Sequence, residues 1–365
     1  MNILLAGISA KFIHQNLAVD TLRLYAEEQY GISCAAAEYT INQPFDFILG
    51  ELYRRKPDLL GFSCYLWNWE RVRRLSRALK TVLPGTRIVL GGPEVSADPA
   101  EALEASGADF VLSGEGEEPF SRLCLALGDG LSLETVPSLT WKRDGALVQN
   151  PLAPPLDLSR LPFPVRDFGQ YANRILYYEA QRGCPFNCQY CLSSRDKGVR
   201  FQPLPKVFSE LQRYLDAGVR QVKFVDRTFN ANPSFAMAIW KYLADHDNGV
   251  TNFHFEMEGG LITREQIDFL STVRPGLFQF EIGVQSTNPA TLAAVDRRED
   301  FPQVAEAVKA IRAAKNLHVH LDLIAGLPFE GLSRFGESFN DVYALEPEQF
   351  QLGFLKLLKG SGLRR

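Results

Sequence analysis

Three of the chain's six cysteines fall within eight residues, at Cys184, Cys188 and Cys191 in "QRGCPFNCQYC". The other three, Cys34, Cys64 and Cys124, are scattered singly. A C-x3-C-x2-C spacing presents three thiolates from one loop, and thiolates are soft ligands suited to iron–sulfur clusters and zinc. Three can ligate three irons of a 4Fe–4S cluster, which normally takes four cysteines. A metal site with an open position is built to receive a substrate or cofactor. Structural zinc is the competing reading, but it wants four ligands, and His14, His246, His254, His318 and His320 all lie far from the cysteines in sequence.

A chain of 365 residues has room for two domains. It is 46% hydrophobic and 22% charged, so it can build ordinary cores. A net charge of -4 gives no bulk electrostatic case for nucleic acid or an anionic membrane. No apolar run reaches the ~18 residues of a membrane span, and "MNILLAGISA" does not read as a signal peptide. Clustered cysteines argue for a metal or redox site in a reducing compartment, which places the protein in the cytoplasm.

The elements that must position these residues come in two series. In the first ~130 residues, "NILLAG" (2–7), "SCAAAEY" (33–39), "PDLLGFSCY" (57–65), "TRIVLGG" (86–92) and "ADFVLSG" (108–114) read as buried strands. Amphipathic stretches such as "NWERVRRLSRALKTVL" (68–83) fall between them. The alternation predicts a doubly wound α/β domain over 1–136. Its strands end in small residues: Gly7, Ser63, Gly91, Gly92 and Gly114. Ligands of such sheets sit beyond the carboxyl ends of the strands, where small residues admit them to the backbone. A tight turn is the plainer use of any one of them. No G-x-G-x-x-G opens the first helix, which argues against a dinucleotide.

Residues 137–172 change character. "SLTWKRDGALVQN" (138–150) reads as a hairpin around Asp144-Gly145. "PLAPPLDLSRLPFPVRDF" (151–168) carries five prolines, which block helix and favour an extended linker. Alternation resumes over 173–365. Strands are expected in "ILYYEAQRG" (175–183), "QVKFVD" (221–226), "NFHFEM" (252–257), "LFQFEIGVQS" (277–286), "HVHLDLIAGLP" (318–328) and "FQLGFLKLL" (350–358), with five helices between. Six strands are fewer than the eight of a closed barrel, which predicts a partial (β/α)6 barrel. The sequence stops at "KGSGLRR", and a closing helix or further domain is expected beyond it.

With the cysteine motif directly after the first strand of a partial barrel, the second series resembles the radical S-adenosylmethionine superfamily. The resemblance implies that Cys184, Cys188 and Cys191 hold the 4Fe–4S cluster and that S-adenosylmethionine binds the fourth iron. An electron from the cluster then cleaves the sulfonium to a 5′-deoxyadenosyl radical. It places the backbone of Tyr190 at the adenine. "FEIGVQS" (280–286) resembles the fourth-strand segment, with Glu281 and Gln285 facing the cofactor or substrate. "DLIAGLPFE" (322–330) resembles the fifth, with Ile324, Gly326 and Pro328 around the adenine. The second strand ends in "VDRTFN", not in the G-G-E-like stretch of many members. Asp226 or Thr228 is the candidate there for the methionine amine. Arg297 or Arg298 of "DRRED" is the candidate for its carboxylate. Glu281 and Asp226 read equally as ion-paired structural groups, and the arginines as a solvated face.

"GGPEVSADPAEALEASGADFVLSGEGEEPF" (91–120) and "GISAKFIHQNLAVDTLR" (7–23) resemble the cobalamin-binding domains of the same superfamily. That resemblance implies ligand contacts at Gly7, Ser9, His14, Ser63, Tyr65, Gly91, Gly92, Glu94, Gly114, Glu115 and Gly116. The D-x-H-x-x-G loop that supplies a cobalt-ligating histidine in mutases is absent. His14 is the one histidine on a ligand-facing loop, and a capping or hydrogen-bonding role suits it as well. The implied cofactors are the cluster, S-adenosylmethionine and cobalamin. The implied activity is C-methylation of an unactivated carbon, fed by an external flavodoxin- or ferredoxin-like electron donor. Cyclisation, ring contraction or oxidation by the same two domains, and a non-catalytic sensor, are the other readings. A methylthiotransferase fits less well, because Cys34, Cys64 and Cys124 do not resemble the three cysteines of its own first domain.

The cysteine reading carries a direct expectation. Cys188→Ala should lose nearly all cluster iron and sulfide from anaerobically purified protein, whereas Cys64→Ala should keep both.

Overall fold

The first series of apolar runs assembles into one seven-stranded sheet in the computed structural model, which describes residues 1–195 and 198–364. Its strands are β1 (Ile3–Ser9), β2 (Ala35–Thr40), β3 (Leu59–Ser63), β4 (Arg87–Gly91), β5 (Phe110–Leu112), β6 (Leu139–Arg143) and β7 (Ala146–Gln149). They lie in the order β2-β1-β3-β4-β5-β6-β7. The first five pair in parallel and the last two antiparallel. All seven residues of β1 are buried, as a strand covered on both faces must be. Helices such as Leu17–Tyr30, Trp69–Val82 and Glu117–Asp129 supply the cover with their apolar stripes.

The order reverses at the paired strands β1 and β3, which makes their carboxyl ends the topological switch point. The side-chain amide of Asn68 fastens it, donating to Ile8 O at 3.0 Å and Ser63 O at 2.9 Å. The loop after β4 runs hard against the loop after β3. A Cβ on Gly92, at φ 109°, would lie 2.5 Å from the carbonyl oxygen of Cys64, so this position requires glycine.

The hairpin expected beside the linker instead extends the sheet, with Trp141 opposite Phe110 and Val148 opposite Trp141. The proline-rich stretch is irregular, yet it is anchored. Leu156, Leu158 and Leu161 bury themselves with Tyr25 of the first helix. Tyr171 donates to the buried Asp20 at 2.7 Å. The compact unit accordingly runs to Arg174, and the second unit begins at Ile175.

The second unit holds β8 (Leu176–Tyr178), β9 (Gln181–Cys184), β10 (Gly198–Phe201), β11 (Gln221–Phe224), β12 (Asn252–Met257), β13 (Phe278–Gln285), β14 (His318–Ala325) and β15 (Gln349–Phe354). Six of them form a parallel open sheet in chain order, β8-β11-β12-β13-β14-β15, with helices between successive strands. This is the partial barrel. Among the described residues, no helix is long and apolar enough to cross a membrane.

Period-two patterning divides the faces of this sheet. In β13, Phe278, Phe280, Ile282 and Val284 are buried, while Gln279, Glu281, Gly283 and Gln285 alternate with them and are half-buried. Phe253, Phe255 and Phe224 continue the apolar face on neighbouring strands. Trp240, on the helix Pro233–Asp245, fills the space above them. Its ring centroid lies 5.6 Å from Phe229, 6.1 Å from Phe255 and 5.6 Å from Phe280. The other face carries the polar partners Lys223, His254, Glu256, Glu281, His320 and Asp322.

One strand differs from expectation. The run 175–183 does not continue in the sheet past Tyr178. Asp226 Oδ1 accepts from Ala180 N at 2.9 Å and Gln181 N at 3.1 Å, which turns the backbone aside. Gln181–Cys184 then pairs antiparallel with β10 as a separate ribbon.

Because Trp240 is fully buried, Trp240→Ala should destabilise the second unit by about 3–5 kcal/mol. Denaturant unfolding followed by far-ultraviolet circular dichroism reads this directly.

Candidate functional site

The ribbon sets where the thiolates go. Gly183 has φ 103°, and a Cβ there would lie 2.1 Å from the carbonyl oxygen of Gly198. The close β9–β10 approach therefore depends on glycine immediately before Cys184. Cys188 O then accepts from Cys191 N at 3.0 Å, closing a tight turn that gathers the motif. Cys184, Cys188 and Cys191 all line one pocket, together with Tyr190, Thr228, Glu281, Gln285 and Arg297. None of the chain's six cysteines is disulfide-bonded. Cys184 Sγ lies 3.4 Å from Thr228 Oγ1, Cys191 Sγ accepts from Ser193 N at 3.4 Å, and Cys188 Sγ accepts from Arg297 at 3.9 Å. Three sulfur atoms on one wall, each beside a hydrogen-bond donor, fit a cluster-binding donor set. Burial raises the Cys188 thiol above its usual range, and the Arg297 charge opposes that.

Arg297 is the hub of the wall. A guanidinium has five N–H donors, and here every one is engaged. Nε donates to Glu299; Nη1 to Tyr190 Oη at 3.1 Å and Cys188 Sγ; Nη2 to Glu258 at 2.9 Å and to the carbonyl of Gly283. Burial works against its charge, but Glu299, Tyr190 and Glu258 outweigh the penalty and keep it protonated. Burial raises Glu258 and Glu299 above the usual carboxylate range, with Arg297 opposing. A methionine carboxylate would have to displace one of these partners. Arg298, the alternative, is 89% exposed at its side chain, 3.8 Å from Asp296, and outside the pocket lining.

Beneath the hub, β13 bulges against β14 between Gly283 and Gln285, and Gln285 adopts φ 67°. The bulge folds the Gln285 amide over Gly283, where a Cβ would meet Nε2 at 2.1 Å. Asp226 does not line the pocket; it is fully buried, and its role is the backbone turn at Ala180 and Gln181. Ile324, Gly326 and Pro328 also lie outside the lining, at the end of β14 and in the turn after it. The pocket has polar walls that the motifs did not point to: Arg227, Glu256, Glu258 and Asp322. For Glu256 and Asp322 the signal was the alternation in "NFHFEM" and "HVHLDL", where aromatic or aliphatic residues interleave with ionisable ones; Arg227 and Glu258 follow strand ends and carried none.

In the first unit a second pocket opens at the switch point, beyond β1, β3, β4 and β5. Ser63, Tyr65, Gly91, Gly92, Gly114 and Gly116 line it, with an apolar bed that includes Leu5, Leu22, Val89 and Phe120. Gly114 has φ 80° and open space where a Cβ would project. A broad, apolar, glycine-edged cradle of this kind fits a large flat ligand approaching the backbone. The other expected contacts lie outside this lining. Gly7 leaves room for Asn16, whose Nδ2 would meet a Cβ at 2.3 Å. Ser9 is buried at the end of β1. The carbonyl of His14 accepts from Arg174 at 2.9 Å, Glu94 is buried in a short helix, and Glu115 accepts from Leu156 N at 2.7 Å. Asn16 and Asn68 carried no signature in the sequence beyond a residue type favoured at caps and turns.

Two family models match the chain: the B12 binding domain over residues 3–124 and the radical SAM superfamily over 178–342. The chain is 26% identical over 366 residues to the cobalamin-dependent radical SAM methyltransferase TokK of Streptomyces tokunonensis, covering 89% of this chain and 51% of that one. It is 25% identical over 362 residues to the 2-(S-pantetheinyl)-carbapenam-3-carboxylate methyltransferase of Streptantibioticus cattleyicolor, with the same coverage. The chain thus spans about half the length of these curated relatives. Its fold matches the solved structure of the radical S-adenosylmethionine methyltransferase TsrM of Kitasatospora setae at a TM-score of 0.82 and 16% identity, over 100% of this chain and 74% of that one.

The hub makes its own prediction. Arg297→Met strands Glu258 and Glu299 and should cost about 3–5 kcal/mol of stability. Thermal melts should show most of that loss recovered when Glu299→Gln is added.

Proposed function

The chain belongs to the radical SAM superfamily, in the group with a B12-binding domain ahead of the barrel, and on that premise we propose that it is a cobalamin-dependent methyltransferase acting on an unactivated carbon. The observation that carries this reading is the convergence of Cys184, Cys188 and Cys191 on one pocket at the open sheet, in a chain whose other unit holds a glycine-edged pocket at its switch point. Bound there, the cluster supplies the electron that cleaves S-adenosylmethionine to a 5′-deoxyadenosyl radical, and cobalamin supplies the methyl group.

The residues divide the work. Cys184, Cys188 and Cys191 hold the cluster. The guanidinium of Arg297 lies beside the Cys188 sulfur, so it stabilises the thiolate and keeps the Tyr190 ring in place. Tyr190, Thr228, Glu281 and Gln285 face S-adenosylmethionine. Ser63, Tyr65, Gly91, Gly92, Gly114 and Gly116 cradle the corrin. The apolar bed around them would shield the bound cofactor from water. No histidine lines that pocket among the described residues, so fold and loops hold the cofactor. The six free thiols suit the cytoplasm, with a flavodoxin- or ferredoxin-like protein as electron donor.

Anaerobic reconstitution tests the reading. The protein with iron, sulfide, cobalamin and a reductant should bind about four irons, show a cobalamin absorption band, and convert S-adenosylmethionine to 5′-deoxyadenosine. Cys188→Ala should abolish that product. An intact cluster that yields none would overturn the enzyme reading; the absence of any bound cobalamin would remove the first unit's role.

A further inference from the structure

The polar face of the open sheet carries two glutamates in register, Glu256 on β12 and Glu281 on β13. Both line the cysteine pocket. Their surroundings differ. Glu281 is flanked from both neighbouring strands by imidazoles. His254 Nε2 on β12 lies 3.0 Å from its Oε2, and His320 Nδ1 on β14 lies 3.8 Å from the same atom. The far side of the His320 ring, Nε2, sits 2.9 Å from Asp322 Oδ1. The result is a chain of alternating bases and acids, Asp322–His320–Glu281–His254, laid across three strands. Both histidines are buried, at 2% and 5% exposure, while the Glu281 side chain keeps 25% exposure toward the pocket. Glu256 has no hydrogen-bond or ion-pair partner among the described residues.

We propose that His254 and His320 are positioning residues for Glu281: flanking its carboxylate from two strands, they fix it as the anionic contact that the pocket offers to bound S-adenosylmethionine. The proposal rests on the radical enzyme reading and assigns two residues that neither the cysteine motif nor the strand motifs include. The imidazoles do not line the pocket, so they act through Glu281.

The charge balance supports the geometry. The His254 contact, against the opposing effect of burial, holds the Glu281 carboxyl down at about 2. Glu256, one strand away on the same face and without an imidazole, is pushed by burial up to about 7. The other charged groups on this face are Lys223 on β11, Arg227 just beyond it, and Asp322 on β14; burial lowers His254, Asp322 joins the imidazoles in lowering Glu281 through a hydrogen bond, and Glu281 in turn adds to burial in raising Asp322 and Glu256. The sign follows. A carboxyl held low keeps its charge as pH falls; without its imidazoles its pKa rises and the charge is lost at higher pH.

The test uses the full chain with its cluster. S-adenosylmethionine affinity is measured by equilibrium dialysis between about pH 5.5 and about pH 8.5. In the wild type any acid-side change comes from Glu256, which titrates near 7 in the same pocket, and each variant is read against that profile. In the His254→Asn/His320→Asn variant, affinity should match the wild type within about twofold at the alkaline end and fall at least tenfold below the wild type at the acid end. Glu281→Gln should bind weakly at every pH. Uniform weakening of the histidine variant at all pH values, or no change, overturns the proposal. A second measurement does not depend on the cofactor. The carboxyl 13C resonance of Glu281, assigned by its loss in Glu281→Gln, should titrate below about pH 4 in the wild type and at about pH 6.5 or above in the variant. An unmoved midpoint overturns the proposal. A wild type that binds no S-adenosylmethionine sinks the radical enzyme reading instead, while the resonance still decides whether the histidines hold Glu281.

Discussion

The cysteine wall depends on one buried guanidinium. Arg297 reaches a thiol, a phenol, a backbone carbonyl and two carboxylates with its five donors. These partners come from four places: the cysteine loop, the end of β12, the bulge of β13, and the loop that carries Arg297 itself. A planar fork can tie such different acceptors at fixed angles, which a lysine ammonium cannot do. Burial makes the arrangement stringent. A buried cation without all its partners, or a buried carboxylate pair without its cation, is costly. The turn that presents the three thiols is thereby coupled to the strands that carry the rest of the pocket.

Those strands manage a conflict between packing and chemistry by using both faces. The outward face is closed by aromatic rings around Trp240 and by the helices that cover it. The inward face collects groups that a core would exclude: two histidines, two glutamates, an aspartate and a lysine. Period-two geometry lets one strand serve both needs with no change of backbone. Within the polar face, neighbours tune one another. The His254 contact lowers Glu281 while burial raises Glu256, so two similar carboxyls move in opposite directions. A single sheet face thus offers a fixed negative charge and a titrating group side by side.

The first unit solves a different problem, admitting a ligand to the end of a sheet. Its strand order reverses at the paired strands β1 and β3, and Asn68 pins their carboxyl ends together. Glycines after β4 and β5 keep the rim low, and the loops can pass close because no Cβ intervenes at Gly92.

Much of this was legible in the sequence. Three thiols at a short spacing named their chemistry, since few other uses gather cysteines so tightly. Alternating apolar runs and amphipathic stretches determined two α/β units and six parallel strands in the second, because hydrophobic period follows directly from backbone geometry. Glycines at strand ends marked the rim of the first pocket. What the sequence could not decide was partnership. "DRRED" holds two adjacent arginines; only the tertiary structure buries Arg297 against Cys188 and leaves Arg298 in solvent. Asp226 sat where a ligand contact was expected, and the fold uses it to turn a backbone 45 residues earlier in the chain. His254 and His320 looked like ordinary strand residues until register placed both beside Glu281. The reason is physical. Period and spacing are local and are written in consecutive residues, whereas burial, charge pairing and pKa depend on which distant segments the fold brings within a few ångströms.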